Sequence, residues 1–251
     1  MFKKQIYIKK KRISPLLGGD LGVGLVVFLF LQFATNLSAQ EVIYSGLDNP
    51  TSIYATQDHL FVVESGKHRI LKLDHNGKLL ETLGGLGSGD YQFDTPIDID
   101  ATNGLKIYIS DYRNNRVQIF DRRFQYLSTI RAPQGQRSFR PTQLIVNDFG
   151  ELFVYDESSK SIHRYDENGN FIDSYKVPSG LEVGKIGLRE DQLALIDWKN
   201  NKVQFMSQNG LLGEEFPFQV AHIQLLDYMN LDNLSFELDV DSIIKGVNRD
   251  Q

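Results

Sequence analysis

Acidic side chains at the ends of short apolar runs are the residues of this sequence whose types and spacing could do chemistry. The acids are Glu64, Asp111, Asp156 and Asp197, and in three cases a cation follows five residues later, at Arg69, Arg116 and Lys202. Carboxylates can act as general acids or bases, or bind a divalent ion. The pair recurs at one spacing along the chain, however, and a catalytic site has no use for identical copies. We therefore predict that each acid caps a turn and pairs with the nearby cation.

The segments that carry these acids belong to a repeat of about 42 residues. Five similar segments begin at residues 50, 96, 141, 183 and 220. The units contain short strand-like runs, and an Asn-Gly step follows the third run at Asn76-Gly77, Asn168-Gly169 and Asn209-Gly210. Asn-Gly between two such runs predicts a type I′ hairpin, because both central residues of that turn need a positive φ. Four short strands per unit at this period are typical of β-propeller blades.

The two ends of the repeat region predict how the propeller closes. The last unit begins at Val220 and leaves too few residues for four strands, whereas residues 41–45 form a strand-like run before the first unit. We predict that this N-terminal run joins the C-terminal strands in one blade and so covers strand edges. The expected fold is therefore all-β, a propeller of five four-stranded antiparallel blades, with six as the alternative count. Helices are not expected, because no stretch after residue 40 keeps a helical apolar period.

The second unit resembles the NHL repeat. It has an inner strand that starts at Pro96, a strand that ends at Asp111, and then Tyr-Arg-Asn-Asn-Arg-Val as far as Val117. A Gly-rich loop over residues 84–96 precedes these strands and adds to the likeness. The resemblance covers residues 41–251 and is weakest in the last unit. It implies a propeller domain; NHL propellers commonly have six blades, and some similar propellers are metal-dependent lyases or lactonases.

The first 39 residues have the order of an export signal. A basic stretch ends at Arg12, apolar residues 21–34 follow, and Leu-Ser-Ala precedes a cleavage site after Ala39. We predict a signal peptide over residues 1–39 and a propeller domain over residues 40–251, located in the periplasm or outside the cell. An uncleaved membrane anchor is the alternative, although about 20 apolar residues would be needed to span a bilayer. Membrane contact is expected only through that segment.

Charge and cysteine content exclude several functions. The whole chain has a net charge of −5 and no cysteine, which rules out Cys nucleophiles and thiolate metal sites. Residues 40–251 carry 21 basic and 31 acidic side chains. A domain this acidic lacks the basic face that binds the phosphates of nucleic acid, so no nucleic-acid partner is expected.

Alternate residues of the innermost strands are predicted to face the central channel. These residues are Ser52, Tyr54, Asp98, Asp100, Gln143, Lys185, His222 and Gln224. A polar lining with two acids suits a small ligand, and the acids with bound waters suit calcium or another divalent ion. The alternative function is therefore a metal-assisted hydrolase or lyase, similar to a lactonase, that uses the channel carboxylates. His222 is the one histidine at a channel position, so a multi-histidine metal centre is not expected.

The loops from the second to the third strand and from one blade to the next emerge on one face, here called the loop face. Its candidate binding residues are Tyr112, Arg113, Arg137, Arg140 and Trp198. Aromatic and arginine side chains are common interface anchors. Phe93 and Phe139 lie in the same loops, shortly before a proline, and are predicted to be wedges between blades. The favoured function is thus an exported binding or scaffold module that needs no cofactor and contacts a protein or a glycan.

The export prediction is tested at the N-terminus of the mature protein. If residues 1–39 are a signal peptide, the protein recovered from the periplasm or the medium starts at Gln40. Edman sequencing or mass spectrometry of that fraction measures this directly. A mature protein that starts at Met1 and sediments with membranes would contradict cleavage and support the anchor.

Overall fold

The regular secondary structure of the described residues is almost entirely β-strand. The computed structural model describes residues 4–10, 39–102, 104–189, 191–217 and 235–238. In this part of the chain the secondary structure consists of 19 β-strands and a single 3-10 turn at Ser65–Lys67. No helix among these residues is long and apolar enough to cross a membrane. The all-β prediction is confirmed.

Four of the sheets contain four antiparallel strands each, in chain order. The first blade consists of β3 (Pro50–Ala55), β4 (Leu60–Glu64), β5 (Arg69–Leu73) and β6 (Leu79–Gly84). The second consists of β7 (Pro96–Asp100), β8 (Lys106–Asp111), β9 (Arg116–Asp121) and β10 (Tyr126–Ile130). The third consists of β11 (Pro141–Val146), β12 (Leu152–Asp156), β13 (Ser161–Tyr165) and β14 (Phe171–Lys176). The fourth consists of β15 (Lys185–Arg189), β16 (Gln192–Asp197), β17 (Lys202–Ser207) and β18 (Leu212–Pro217).

The first strand of every blade lies nearest to the common axis. Strand β3 contacts β7, β7 contacts β11, and β11 contacts β15, so neighbouring blades meet through their first strands. The second strands β4 and β12 are buried along their whole length, because sheets of adjacent blades cover both faces. The outermost strands β14 and β18 are largely exposed. This gradient from axis to rim is that of a β-propeller.

A fifth sheet contains strands from both ends of the chain. It consists of β1 (Lys4–Lys10), β2 (Ala39–Leu47) and β19 (Ser235–Leu238), in the order β19-β1-β2. Strand β19 contacts β3 of the first blade. Residues 41–45 therefore share a sheet with the C-terminal strand β19, as expected from the sequence, but they pair with Lys4–Lys10 and not directly with β19. The last unit from Val220 lies mostly outside the described residues, and the count of five blades stays a prediction.

The Asn-Gly hairpins differ in detail from the predicted turn type. At Asp74 the turn has a hydrogen bond from Gly77 N to Asp74 O (3.0 Å) and a second from Asp74 N to Lys78 O (3.0 Å). Only the glycine has a positive φ, 82° at Gly77, so the turn is a type I turn followed by a bulge and not type I′. The Asp74 carboxylate accepts hydrogen bonds from the backbone N–H groups of Asn76 and Lys78, which favours the longer turn.

The apolar core lies between neighbouring blades. Phe93 is fully buried in a cluster that joins Val63 and Ile70 of the first blade to Phe120 of the second. Phe139 has the same position between the second and third blades. Gly84 makes room for the first wedge, since a Cβ there would lie 2.7 Å from the Phe93 ring. Both phenylalanines are wedges, as the sequence predicted.

Removal of one wedge should destabilise the whole propeller. Phe93→Ala leaves a cavity between two blades and is expected to lower the free energy of unfolding by about 3–5 kcal/mol. Urea unfolding followed by circular dichroism measures the change. Leu86→Ala is the matched control, because Leu86 lies in the same loop but is largely exposed. Equal stability of the two variants would contradict the wedge role.

Candidate functional site

The recurrent acids hold the loops that connect the blades. Each acid accepts a hydrogen bond from a backbone N–H in the loop that precedes its own blade. The pairs are Asp48 N to Glu64 (2.8 Å), Asp94 N to Asp111 (2.8 Å), Arg140 N to Asp156 (2.8 Å) and Glu182 N to Asp197 (3.0 Å). All four carboxylates are buried. The four carboxylates therefore anchor loops, which is the structural role that the repeated spacing indicates.

The predicted cations behave differently from blade to blade. Arg116 donates from Nε to Asp111 (2.8 Å), and its other nitrogens donate to the carbonyls of Ser88, Gly89 and Gln92, so one guanidinium fixes the Gly-rich loop. Arg69 donates to Glu64 at 2.6 Å. The predicted pair between Asp197 and Lys202 is wrong: Lys202 binds Glu215, and Asp197 accepts from the Asn200 amide instead. The short Asn200 side chain reaches the acid from within the turn itself.

Asp98 connects the innermost strands of all four complete blades. Its carboxylate accepts hydrogen bonds from Ser52 Oγ (2.6 Å) in the first blade and from Leu144 N (2.9 Å) in the third. It also lies 3.1 Å from Lys185 Nζ in the fourth blade. Asp98 itself is only 1% exposed. Three of the predicted channel residues thus meet, but they form a closed network.

Asp100 continues this network one step along β7. It accepts hydrogen bonds from Val146 N (3.0 Å) and Thr102 N (2.8 Å). Burial raises the pKa of Asp100 to about 6, and the neighbouring charge of Asp98 adds to the rise, although the hydrogen bonds oppose it. Together the two acids satisfy the N–H groups of Leu144 and Val146, which face the axis on an inner strand edge.

The remaining channel residues add little to a site. The Tyr54 hydroxyl is 2.6 Å from the Thr102 hydroxyl, and Gln143 is half-buried. His222 and Gln224 lie outside the described residues. Because the oxygens of Asp98 and Asp100 already accept several hydrogen bonds, a divalent ion would have to displace them. In the described parts of the chain, no group of three or more histidine and acidic side chains is arranged to hold a metal ion.

The loop face carries a cluster formed by Tyr112, Arg140 and Glu157. The Tyr112 hydroxyl donates to Glu157 Oε2 (2.7 Å) and accepts from Arg140 Nη1 (3.0 Å). The Arg140 guanidinium lies over the same ring, 5.4 Å from its centroid. This contact joins the second blade to the third. Hydrogen bonding to Tyr112 and the charge of Glu157 raise the pKa of Arg140, so the group stays cationic.

The other predicted loop-face residues surround this cluster. Arg113 and Arg137 are exposed in the loops of the second and third blades. Trp198 lies in the corresponding turn of the fourth blade and is 39% exposed. It packs directly on Gly184, where a Cβ would come within 2.3 Å of the indole ring. The candidate face therefore extends over three blades, with ordered aromatic groups and exposed cationic surface.

Two clefts on the opposite face were not indicated by the sequence. This surface, here called the turn face, is formed by the turns between first and second strands and between third and fourth strands. A cleft of about 590 Å³ lies between the third and fourth blades, and one of about 390 Å³ between the first and second. Phe149, an aromatic residue in the polar turn from Asn147 to Gly150, is the sequence feature that could have drawn attention to the larger cleft. The depth of the clefts depends on the angle between blades, which no local pattern encodes.

Comparison with known proteins agrees with this geometry. The NHL repeat family matches residues 93–120, which include β7, β8 and all but the last residue of β9 in the second blade. The chain is a β-propeller, and part of its second blade matches the NHL repeat. No match was found among curated protein sequences.

Several solved structures share the propeller fold. A streptogramin B lyase structure aligns with a TM-score of 0.55 at 16% identity, over 69% of this chain and 56% of that one. A nidogen/laminin complex aligns with a TM-score of 0.59 at 16% identity, over 73% and 70%. BBS1N in complex with ARL6DN aligns with a TM-score of 0.53 at 12% identity, over 71% and 56%. The aligned part of this chain thus spans little more than half of the length of the streptogramin B lyase. At identities this low, the similarity shows the fold alone.

The pKa of Asp100 predicts a pH dependence of stability. Because this pKa is about 6 in the folded protein, against an ordinary value of 3.8, the folded state binds a proton more readily between these values. The free energy of unfolding should therefore fall as the pH rises from 4 to 7, by on the order of 2–3 kcal/mol from this group.

The matching experiment is urea unfolding across this pH range. Asp100→Asn should flatten the slope, because the titrating group is gone. Asp148→Asn, at an exposed turn position, should leave the slope as in the unmodified protein. Parallel slopes for the unmodified protein and Asp100→Asn would show that the buried acid does not titrate there.

Proposed function

We propose that the propeller is an exported binding module that contacts a protein through its loop face. The residues that make the contact are Tyr112, Arg113, Arg137, Arg140 and Trp198. The observation that carries this proposal is the Tyr112 cluster, in which a guanidinium is stacked on a ring and hydrogen-bonded to its hydroxyl while remaining exposed. The buried wedge Phe139 already joins these two blades, and the exposed Arg140 guanidinium remains accessible to a partner.

Preorganisation of the loop-face side chains reduces the entropy that is lost when a partner binds. An arginine side chain that rotates freely before binding loses conformational entropy when it is immobilised at an interface, at a free-energy cost of roughly 0.5–1.5 kcal/mol. Arg140 is already held by Tyr112, and Tyr112 by Glu157, so less entropy remains to be lost. Trp198 is similarly packed on Gly184 while part of its ring faces solvent. Rigid aromatic and arginine groups of this kind dominate the energy of most interfaces.

Charge indicates which surface of the partner is bound. Residues 40–251 are acidic overall, with 31 acidic against 21 basic side chains. Arg113, Arg137 and Arg140 nevertheless all lie on the loop face. Acidic side chains on the partner would pair with these guanidinium groups, whereas the rest of the surface would repel them.

The fold neighbours support a protein partner. The nidogen/laminin and the BBS1N–ARL6DN structures are complexes between proteins. A glycan partner at the loop face is less well supported, because the face is dominated by cations. Location in the periplasm or outside the cell rests on residues 1–39, which supply the export signal or, uncleaved, a membrane anchor.

A lyase or hydrolase that uses the channel acids is the second candidate. It is favoured by the fold neighbour that is a streptogramin B lyase and by the buried Asp100 carboxyl, whose pKa of about 6 suits proton transfer near neutral pH. Against it, the oxygens of Asp98 and Asp100 are engaged by backbone N–H groups and by Lys185. The mutants described next separate the two candidates.

Arg140→Ala and Trp198→Ala should each weaken partner binding by about 1–2 kcal/mol, because each removes a preorganised anchor. Affinity capture from the cell envelope or medium identifies the partner, and surface plasmon resonance with that partner measures the loss. Arg123→Ala is the matched control, since Arg123 is an exposed cation on the turn face. Circular dichroism confirms that each variant is folded.

The enzyme candidate gives the reverse pattern. Asp100→Asn would then abolish turnover in a folded protein, and the loop-face variants would keep full activity. Binding that is unchanged in both Arg140→Ala and Trp198→Ala would remove the loop face from consideration.

A further inference from the structure

The larger cleft of the turn face has the size of a ligand site. It lies between the third and fourth blades and has a volume of about 590 Å³, within the range of roughly 300–1,000 Å³ of small-molecule sites. The turns at residues 147–151 and 207–209 form two of its walls, with Leu188 and Asp191 on the fourth blade. Since it opens on the face opposite to the loop face, its role is independent of the proposed protein contact.

The cleft has a floor of fixed polar groups. Asn147, which is 3% exposed, donates from its amide to Glu151 Oε2 (2.8 Å) and across the blades to Gln208 Oε1 (2.7 Å). Arg164 donates to Glu151 Oε1 (2.6 Å) and, also across the blades, to Asn209 Oδ1 (3.0 Å). These bonds lock the two blades together and hold the side-chain amides of Gln208 and Asn209 in place.

An exposed aromatic ring stands beside this polar floor. Phe149 is 81% exposed, although it lies at the tip of a turn whose Asn147 side chain accepts its backbone N–H. The first and fourth blades have polar residues in the corresponding turns, at Asp58 and Asp191. Exposure of a phenylalanine in water is unfavourable, and no packing role in the propeller accounts for it.

The charge of the lining restricts the ligand. Three carboxylates, of Asp148, Glu151 and Asp191, face one guanidinium, of Arg164, so the cleft repels anions such as phosphates. Glu151 is paired with Arg164, and the two remaining acids are exposed to solvent, which weakens both their repulsion of anions and their attraction for cations. The ligand that fits is uncharged.

We propose that this cleft binds the end of a neutral oligosaccharide. Sugar hydroxyls both donate and accept hydrogen bonds, and the lining supplies donors in the amides of Gln208 and Asn209 and acceptors in Asp148 and Asp191. The apolar C–H face of a sugar ring would cover Phe149 and remove its exposed surface from water. The fixed floor limits the entropy that binding loses.

The smaller cleft between the first and second blades offers a contrast. Its lining includes His59, Lys106 and Arg122, and no exposed aromatic residue lies among the residues that line it in the described structure. Without an exposed aromatic ring among these lining residues, a sugar ring has no aromatic surface to cover there. The proposal therefore applies to the cleft of the third and fourth blades alone.

The experiment uses the full chain and a panel of neutral cello-, xylo- and malto-oligosaccharides. Binding is detected on an array and quantified by isothermal titration calorimetry with the oligosaccharide that binds best. Phe149→Ala should weaken binding at least tenfold, and Asp191→Ala should weaken it severalfold. Both positions are exposed, so neither change should affect folding.

Two controls make the result decisive. Leu105→Ala changes an exposed apolar residue in the corresponding turn of the second blade and should leave binding unchanged. Trp198→Ala should also leave it unchanged, so failure of the loop-face proposal would not affect this one. The proposal is overturned if no oligosaccharide of the panel binds, if Phe149→Ala binds as tightly as the unmodified protein, or if inorganic phosphate or a diamine competes for the cleft.

Discussion

The contact of Asp98 and Asp100 with the innermost strands is the interaction on which the ring of blades depends. An antiparallel blade leaves backbone N–H groups of its first strand directed at the axis, with no further strand to pair them. Here the carboxylates of Asp98 and Asp100 accept hydrogen bonds from the backbone N–H groups of Leu144 and Val146. Ser52 and Lys185, which belong to two other blades, also bind the Asp98 carboxylate. Buried polar groups that are fully paired in this way specify how the blades are placed around the axis.

A second constraint applies to the loops between blades, which must be fixed in position although they are exposed to solvent. A buried acid at the end of each second strand accepts an N–H from the preceding loop, and Arg116 adds three carbonyl contacts in the second blade. Loops that are fixed from below can present rigid side chains above, as Tyr112 and Arg140 do. On the turn face, the carboxylates of Asp74, Asp121 and Asp166 close their own turns. Clefts lie between neighbouring blades on this face.

The sequence predicted the fold closely because a propeller is a sum of local units. Apolar runs and Asn-Gly steps act within about ten residues, and the repeat spacing places them in successive blades. The strand ends at the four recurrent acids and the wedges Phe93 and Phe139 were therefore predicted correctly. The predictions of turn type and of one ion pair were wrong where two local arrangements of hydrogen bonds compete. Asp74 extends an Asn-Gly turn by capping it, and Asn200 replaces Lys202 as the partner of Asp197 because it is closer within the turn.

By itself, the sequence determined the all-β repeat, the inward alternation of the inner strands and the residues of the loop face, since these depend on periodicity and on neighbours along the chain. Only the tertiary structure decided that Asp98 is a closed junction of blades, that Arg140 stacks on Tyr112, and that a polar cleft beside Phe149 opens on the turn face. Each of these features joins residues that are 28 or more positions apart in the sequence. The angle and separation of whole blades set such contacts, and they arise from the packing of the complete core.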